Sequence, residues 1–420
     1  MTATGAYEQI RRAVLDEVER DRLDPEGDAA AIDQRARAAV DAYQRRAHLG
    51  EVTPLRDPDE MAARVLRSVT AYGPLTDLLA SPAVEEVFIE GGRVTYLDAG
   101  GRLAGLDEPT TVEENRQVID RLLSSSDRHL DVANPMVQAR VLDGAARLTA
   151  AIPPVADQLS ATLRRHAQRR ETLASLADRG ALTAAATGVL RAAMAGSASV
   201  LVSGPPGAGK TSLLAALLAA VPPTRCVRVC EEIRELNVAL PHGGFYEARP
   251  RGLDGEAEIT LRDLVKFTLA MRPDVLVVGE VRGAEAFELT RAINAGCGFA
   301  CTVHANSARE ALEALVNAAI MAGEHVGEPV VRKLFCSSVD LLVHCDIDDA
   351  GEGGAVRRGV TEIHAVAPTM ADDAATTEPL LVRSSLDEPL RWTGHLPPPQ
   401  RWTRAADGDL RELLSQGGPR

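Results

Sequence analysis

Over the first 60 residues apolar positions recur at helical spacing. Ile10, Val14, Leu15 and Val18 share one face, and Ile32, Ala36, Val40 and Tyr43 share another after the break at Asp24-Pro25-Glu26-Gly27. The spacing predicts two amphipathic helices. A third begins after Asp57-Pro58-Asp59, carries Met61, Val65, Leu66 and Val69 on one side, and stops at Gly73-Pro74. Stripes of this width bury themselves against one another, so the segment reads as a small bundle.

From Val84 the pattern shortens to Val87-Phe88-Ile89 and Val94-Thr95-Tyr96-Leu97, separated by Gly91-Gly92 and closed by Gly100-Gly101, which predicts strands joined by tight turns. A helix bearing Val118, Ile119, Leu122 and Leu123 follows. Next come Arg140-Val141-Leu142, a turn at Asp143-Gly144, and the run Arg147 to Ile152 before Pro153-Pro154. Polar, Arg-rich sequence from Arg164 to about Glu171 suits a surface linker. A βαβ series then starts near Ala198 with Val200-Leu201-Val202, and continues through strands near Cys226–Val229, Val275–Val278, Phe299–Val303 and Leu341–His344. That is the pattern of a mostly parallel sheet covered on both faces. The stretch from Thr369 is acidic, then proline-containing, and holds Trp392 and Trp402; it reads as loosely packed, with a hairpin around Leu380–Trp392. The expected organisation is α/β: a helical segment 1–60, a small α/β domain 61–163, a linker 164–175, a parallel-sheet domain 176–368 and a C-terminal extension 369–420.

Composition narrows the class. With 420 residues, 45% apolar and 25% charged, the chain has the makeup of two or three folded domains and not that of a disordered, collagen-like or disulfide-scaffold protein. The net charge of −14 argues against a nucleic-acid coat or a uniformly basic membrane-surface protein, so no nucleic-acid partner is expected. No run approaches the ~18–20 apolar residues of a membrane span, and the N-terminus lacks a signal-peptide pattern, so a cytoplasmic location is expected. Cys226 and Cys230, and again Cys297 and Cys301, are four apart in apolar stretches, which is not the spacing of a zinc knuckle or a disulfide framework.

Chemistry concentrates in the βαβ series. Gly204-Pro205-Pro206-Gly207-Ala208-Gly209-Lys210-Thr211 matches G-x-x-x-x-G-K-[ST] between an apolar strand and the helical pattern Leu213, Leu214, Leu217 and Leu218, with Ser212 next in the first turn. Such a loop curls backbone N–H groups around phosphates. Lys210 would reach the β and γ oxygens, and the Thr211 hydroxyl would ligate Mg²⁺. Twenty-one residues beyond Lys210 a strand ends in Glu231-Glu232, either of which can polarise an attacking water. Arg272-Pro273-Asp274 leads into an apolar strand that ends in Gly279-Glu280-Val281-Arg282, placing Glu280 to hold Mg²⁺ directly or through water. After a further strand, Thr302-Val303-His304-Ala305-Asn306-Ser307 offers His304 to the γ-phosphate.

The order of these motifs resembles the traffic ATPases of type II secretion, type IV pilus and type IV secretion systems, especially the CpaF-like branch of tight-adherence (Tad) pili. The resemblance covers roughly residues 60–368. It includes Gly73-Pro74-Leu75 with Val84-Glu85-Glu86-Val87, Pro135-Met136-Val137 through Arg140 and Asp143-Gly144, and the four motifs above. It implies a RecA-like ATPase domain hinged to an N-terminal α/β domain, ATP and Mg²⁺ as ligands, and a homo-hexamer. It also implies roles for Arg140, Arg147 and Arg164 as arginines that reach nucleotide phosphates when the cleft closes. Three positions depart from the family pattern: Glu231-Glu232 stands where Glu-Asp is usual, Cys297 where a histidine is frequent, and Gln138 where an aspartate is common.

The expected function is therefore a cytoplasmic ring that hydrolyses ATP and passes the motion to an inner-membrane platform protein, extruding pilin subunits or secreted substrates. Its membrane contact would be peripheral, through that partner at the inner face. A conjugative or effector-secreting type IV ATPase is the near alternative. A nucleotide-gated scaffold with negligible hydrolysis is the alternative of another class, and a P-loop kinase is disfavoured because nothing suggests a lid and phosphoacceptor pocket.

Overall fold

The computed structural model describes residues 3–25, 27–126, 128–165, 170–249, 257–294, 296–323, 326–348, 356–371, 374–404 and 410–415. The chain divides into two compact units, Met1–His166 and Ala167–Arg420. The middle of the expected linker, 166–169, lies outside the described residues.

The first unit opens with α1 (Ala3–Asp21), α2 (Ala29–His48) and α3 (Pro58–Thr70). Their stripes meet as the periodicity predicts: Ile10, Val14, Ile32, Ala36, Val40, Tyr43, Val65 and Val69 share one core, with Leu15, Met61 and Leu66 at its rim. Asp57 caps α3 by accepting from Glu60 N at 3.0 Å, with Pro58 in the first turn. A 3₁₀ turn at Gly73–Leu75 and α4 (Thr76–Ala80) lead into β1 (Val84–Glu90), β2 (Arg93–Asp98), β3 (Leu103–Gly105), α5 (Val112–Leu123), β4 (Met136–Val141), β5 (Ala146–Ala151) and β6 (Ser160–Arg165). The six strands form an antiparallel sheet in the order β3-β2-β1-β6-β5-β4. Strand periodicity decides its faces: Val87, Ile89, Ala139, Val141, Leu148 and Leu163 join α4 and α5 in a second core, and alternate residues look outward. The helical segment is not a separate body. Tyr7 donates to Glu114 of α5, Arg11 donates to Gln117, and Arg64, whose guanidinium sits 3.9 Å over the Tyr7 ring, lies 2.7 Å from Glu108, fastening the bundle to the α/β portion.

In the second unit α6 (Leu173–Asp178) and α7 (Ala184–Ala195) precede β7 (Val200–Ser203), α8 (Lys210–Ala219), β8 (Val227–Glu231), β9 (Gly243–Glu247), α9 (Leu261–Leu269), β10 (Val275–Val278), α10 (Glu285–Asn294), β11 (Gly298–Val303), α11 (Ala308–Ile320), α12 (Glu328–Cys336) and β12 (Leu341–Asp348). The chain continues through β13 (Arg357–Ala371), β14 (Ala374–Val382), β15 (Arg391–Trp392), α13 (Arg401–Arg404) and α14 (Leu410–Ser415). The sheet order is β15-β14-β13-β12-β7-β11-β10-β8-β9, parallel from β12 to β9 and antiparallel beyond. Alternation again sorts the side chains. Val200, Val202, Val275, Val277 and Val343 pack toward α6, α7 and α8, whereas Leu201, Leu276, Val278, Phe299 and Leu342 pack toward α9 to α12. Three of the four paired cysteines prove to be packing residues: Cys230 and Cys301 are fully buried, and Cys297 is buried with its thiol pushed up to about 12 by burial.

The C-terminal stretch departs from the loose packing expected of it. The hairpin forms, with Leu381 opposite Trp392, but β14 also extends the main sheet, and Trp402 and Leu414 are fully buried in the same core as α7. Local sequence misses this because a few apolar residues suffice when each is wholly buried. Trp402→Ala should therefore lower the unfolding free energy by roughly 3–5 kcal/mol, read from urea titration, whereas a loose tail would leave it unchanged.

Candidate nucleotide site

β7 is a wholly buried strand that delivers the chain into Gly204 at the carboxyl edge of the parallel strands, where α/β sheets bind ligands. Gly204, Gly207 and Gly209 have φ of 149°, 77° and 89°, in the region L side chains resist. A Cβ on Gly204 would also lie 2.2 Å from the Cys345 carbonyl of β12. Gly209 caps α8 without a side-chain hydrogen bond, and no acid stands in its first turn. The first-turn amides and the positive end of the helix thus remain available to an anion, with Thr211 and Ser212 beside them.

Lys210 is buried and turns back over the loop, donating to the Gly204 and Pro205 carbonyls at 2.9 Å each; its Nζ is also 3.4 Å from His304 Nδ1. On the other side of that imidazole, Nε2 lies 2.7 Å from Glu280 Oε1. Glu280 Oε2 accepts from Arg282 at 2.7 Å. Strand order produces this line of Lys210, His304, Glu280 and Arg282: β10 and β11 are neighbours, β11 abuts β7, and the turn after β10 is pinned by Thr302 Oγ1 donating to the Gly279 carbonyl at 2.7 Å. Burial pushes the Glu280 carboxyl up, but Arg282, His304 and Lys210 outweigh it and hold the group below its usual range, so it is ionised. Arg282 carried no expected role. Its signal was the Glu-x-Arg spacing, which puts both side chains on one side of an extended segment.

Glu231 ends β8 but does not project into solvent. It is buried, and its Oε1 accepts from the amides of Glu235 at 3.0 Å and Leu236 at 3.1 Å. Its side chain passes so close to Gly279 that a Cβ there would lie 2.8 Å from Glu231 Cγ, which explains a glycine before Glu280. Desolvation pushes the Glu231 carboxyl up to about 7 against those two amides, and Oε2 is buried with no hydrogen-bond partner among the described residues. Glu232 is exposed.

Arg140, Arg147 and Arg164 lie together on the outward face of the first unit's sheet. Arg140 is opposite Arg147, Arg147 opposite Arg164, and Arg164 opposite Glu86. Gln138, at one of the departing positions, accepts from Arg147 at 2.9 Å, and Arg164 Nε is 3.5 Å from Glu86 Oε1.

These residues fit Mg²⁺ as well as phosphate. Glu280 Oε1 is buried and accepts no aligned hydrogen bond among the described residues, since the nearby His304 nitrogen is off line. With the Thr211 hydroxyl at the start of α8 it supplies the hard oxygen donors that Mg²⁺ prefers.

Comparison with known proteins agrees with this geometry. A family described as "Type II/IV secretion system protein" matches residues 110–347, more than half of the chain. A protein of Mycobacterium tuberculosis (strain ATCC 25618 / H37Rv) named for conjugal transfer is 34% identical over 337 residues, spanning 76% of this chain and 95% of that protein. The type IV secretion system protein VirB11 of Bartonella quintana (strain Toulouse) is 27% identical over 288 residues, 57% of this chain and 80% of its own length. Among solved structures, the ATPase DotB of Yersinia pseudotuberculosis superimposes with a TM-score of 0.50 at 14% identity, covering 70% of this chain and 78% of that one, a likeness of RecA-like fold alone. No helix among the described residues is long and apolar enough to cross a membrane. With a nucleotide loop of this geometry, a family match over more than half of the chain and a relative aligned over nearly its full length, the chain belongs to the type II/IV secretion system ATPase family.

Proposed function

We propose that the chain is a Mg²⁺-dependent ATP hydrolase that works as a homo-hexamer at the inner face of the cell membrane and drives a platform protein in pilus assembly or protein secretion. The observation that carries the reading is the line of Lys210, His304, Glu280 and Arg282 beside an uncapped helix N-terminus. In this reading the loop amides and Lys210 bind the β- and γ-phosphates, and His304 faces the γ-phosphate. Thr211 and Glu280 hold Mg²⁺, which when bound neutralises charge on the phosphate oxygens. Glu231 accepts the proton of the attacking water, with Glu232 as the lesser candidate. Arg140, Arg147 and Arg164 supply positive charge to the phosphates when the cleft closes, as arginine fingers do.

The tight-adherence branch is read from the order of the motifs as a whole, and the module from Gly73-Pro74-Leu75 to Asp143-Gly144 does not cleanly separate it from type IV systems. A type IV conjugative or effector system is the second reading, favoured by relatives named for conjugal transfer and type IV secretion. Neighbouring genes for a prepilin, a prepilin peptidase and a polytopic platform protein would decide for the first.

Steady-state phosphate release by the purified chain tests the enzyme reading. Turnover should require Mg²⁺, and Glu280→Gln should reduce it roughly 10- to 100-fold while leaving the thermal transition close to wild type. Tight ATP binding without turnover in the wild type would leave the scaffold reading instead, and a folded Glu280→Gln protein at the wild-type rate would remove Glu280 from the metal site.

A further inference from the structure

The strand that delivers the phosphate loop ends in Ser203, which is fully buried. Its hydroxyl lies 2.9 Å from His344 Nδ1 of β12 and donates to the Ser307 carbonyl at 3.4 Å. Ser307 caps α11, its own hydroxyl accepting from Glu310 N at 3.1 Å. The next amide, Ala308 N, donates to Glu362 Oε2 at 3.0 Å. Glu362 comes from β13, the antiparallel strand beyond the parallel set, and stands opposite His344 in the β12–β13 register. His364, two residues on, has Nε2 3.6 Å from the same carboxylate oxygen.

These contacts converge on one short connection. The chain from the end of β11 at Val303 to the start of α11 at Ala308 contains His304, and its far end is fixed at two consecutive residues. Ser203 holds the Ser307 carbonyl from the phosphate-loop side, and Glu362 holds the Ala308 amide from the β13 side. The carboxylate also faces the positive end of α11, where a negative group is favoured. Burial lowers the titration of both His344 and His364 against the pull of Glu362, so each imidazole is neutral near pH 7 and not a counter-ion of the carboxylate. Ser203, His344 and Glu362 belong to three different strands, and nothing in the mechanism above uses them.

We propose that Glu362, together with Ser203 and His344, is a positioning residue for His304: it clamps the β11–α11 connection so that the imidazole stands at a fixed distance from Lys210. The inference rests on the reading of His304 as the group that faces the γ-phosphate. It assigns β13 a part in the ATPase cycle beyond extending the sheet.

The test is a double-mutant cycle on ATP turnover with kcat and KM measured for Glu362→Ala, Glu362→Gln, His304→Ala and the double variant Glu362→Ala/His304→Ala. Glu362→Ala should lower kcat at least ~10-fold while KM for ATP moves less than ~3-fold, because the phosphate loop itself is intact. Glu362→Gln should recover most of the loss, since its amide oxygen still accepts from Ala308 N. In the His304→Ala background Glu362→Ala should add little further loss. A merely structural role would instead lower the melting temperature, leave kcat per nucleotide-binding molecule unchanged and be additive with His304→Ala. An impaired His304→Ala with wild-type turnover in Glu362→Ala, or independent effects in the cycle, would overturn the clamp alone. Wild-type turnover in His304→Ala would overturn the reading of His304 and the clamp with it. Should Glu362→Ala fail to fold, Ser203→Ala removes one hydroxyl from the same clamp and is read in the same cycle against the same outcomes.

Discussion

Lys210→Ala is expected to lower ATP hydrolysis by roughly 10³-fold or more and to weaken ATP binding, while the protein unfolds at nearly the wild-type temperature. The ammonium is buried inside the loop and already donates to two of its carbonyls, so it is placed where a phosphate oxygen would compete for its protons. Alanine removes the one cation of the loop without disturbing the three left-handed glycines that set its shape. The carbonyls of Gly204 and Pro205 lose a donor, a cost of about 1 kcal/mol each, far below what unfolding the second unit requires. Phosphate release, binding of a fluorescent nucleotide and thermal unfolding on one preparation check the three parts together. Retention of most turnover would sink the assignment of this loop.

The same variant reports on assembly. If the subunits work as a coupled ring, mixing Lys210→Ala chains into wild type depresses activity more steeply than dilution predicts, because one silent subunit interrupts its neighbours. Strictly proportional loss, with a monomeric mass at every ATP concentration, would contradict the hexamer.

Much of this site can be read in the sequence, for a physical reason. Positive φ favours glycine, and Gly204, Gly207 and Gly209 declare the loop at fixed offsets from Lys210. Helical stripes declare α1 to α3 in the same way, because a 3.6-residue period has few alternative explanations. What the sequence conceals is adjacency set by strand order. His304 meets both Lys210 and Glu280 only because β11 lies between β7 and β10. Glu362 is invisible as part of the site because it arrives on an antiparallel strand, after the βαβ pattern has ended. The attachment of the helical bundle is hidden for another reason: Tyr7, Arg11 and Glu114 are polar groups on faces where only apolar residues are counted. Trp402 and Leu414 show the limit of composition, since two residues in a polar tail are enough to hold it to α7 when both are wholly buried.

The adjacent acids at the end of β8 look equivalent in sequence, and the fold separates them. Glu231 faces inward beside Gly279, while Glu232 is exposed. Glu231→Gln is therefore expected to bind ATP and Mg²⁺ normally yet hydrolyse ATP at least roughly 10²-fold more slowly, and Glu232→Gln to be milder. The titration gives the assignment a second readout. Burial raises the Glu231 carboxyl from its ordinary value near 4.5 to about 7, and a general base must be ionised to act. Wild-type kcat should thus rise between pH 6 and 8 with a midpoint near 7, and this rise should vanish in Glu231→Gln. Stability runs the other way. The proton binds the folded state more tightly than the unfolded one, so the stability it contributes is full below about 4.5 and is lost as pH climbs through about 7. Glutamine stays neutral throughout, so the melting temperature of Glu231→Gln should gain on that of the wild type from pH 5 to 8, by an amount equivalent to at most about 3 kcal/mol. Turnover at saturating ATP decides the chemistry: a silent Glu232→Gln beside an active Glu231→Gln would exchange the two roles, and two active variants would place water activation elsewhere.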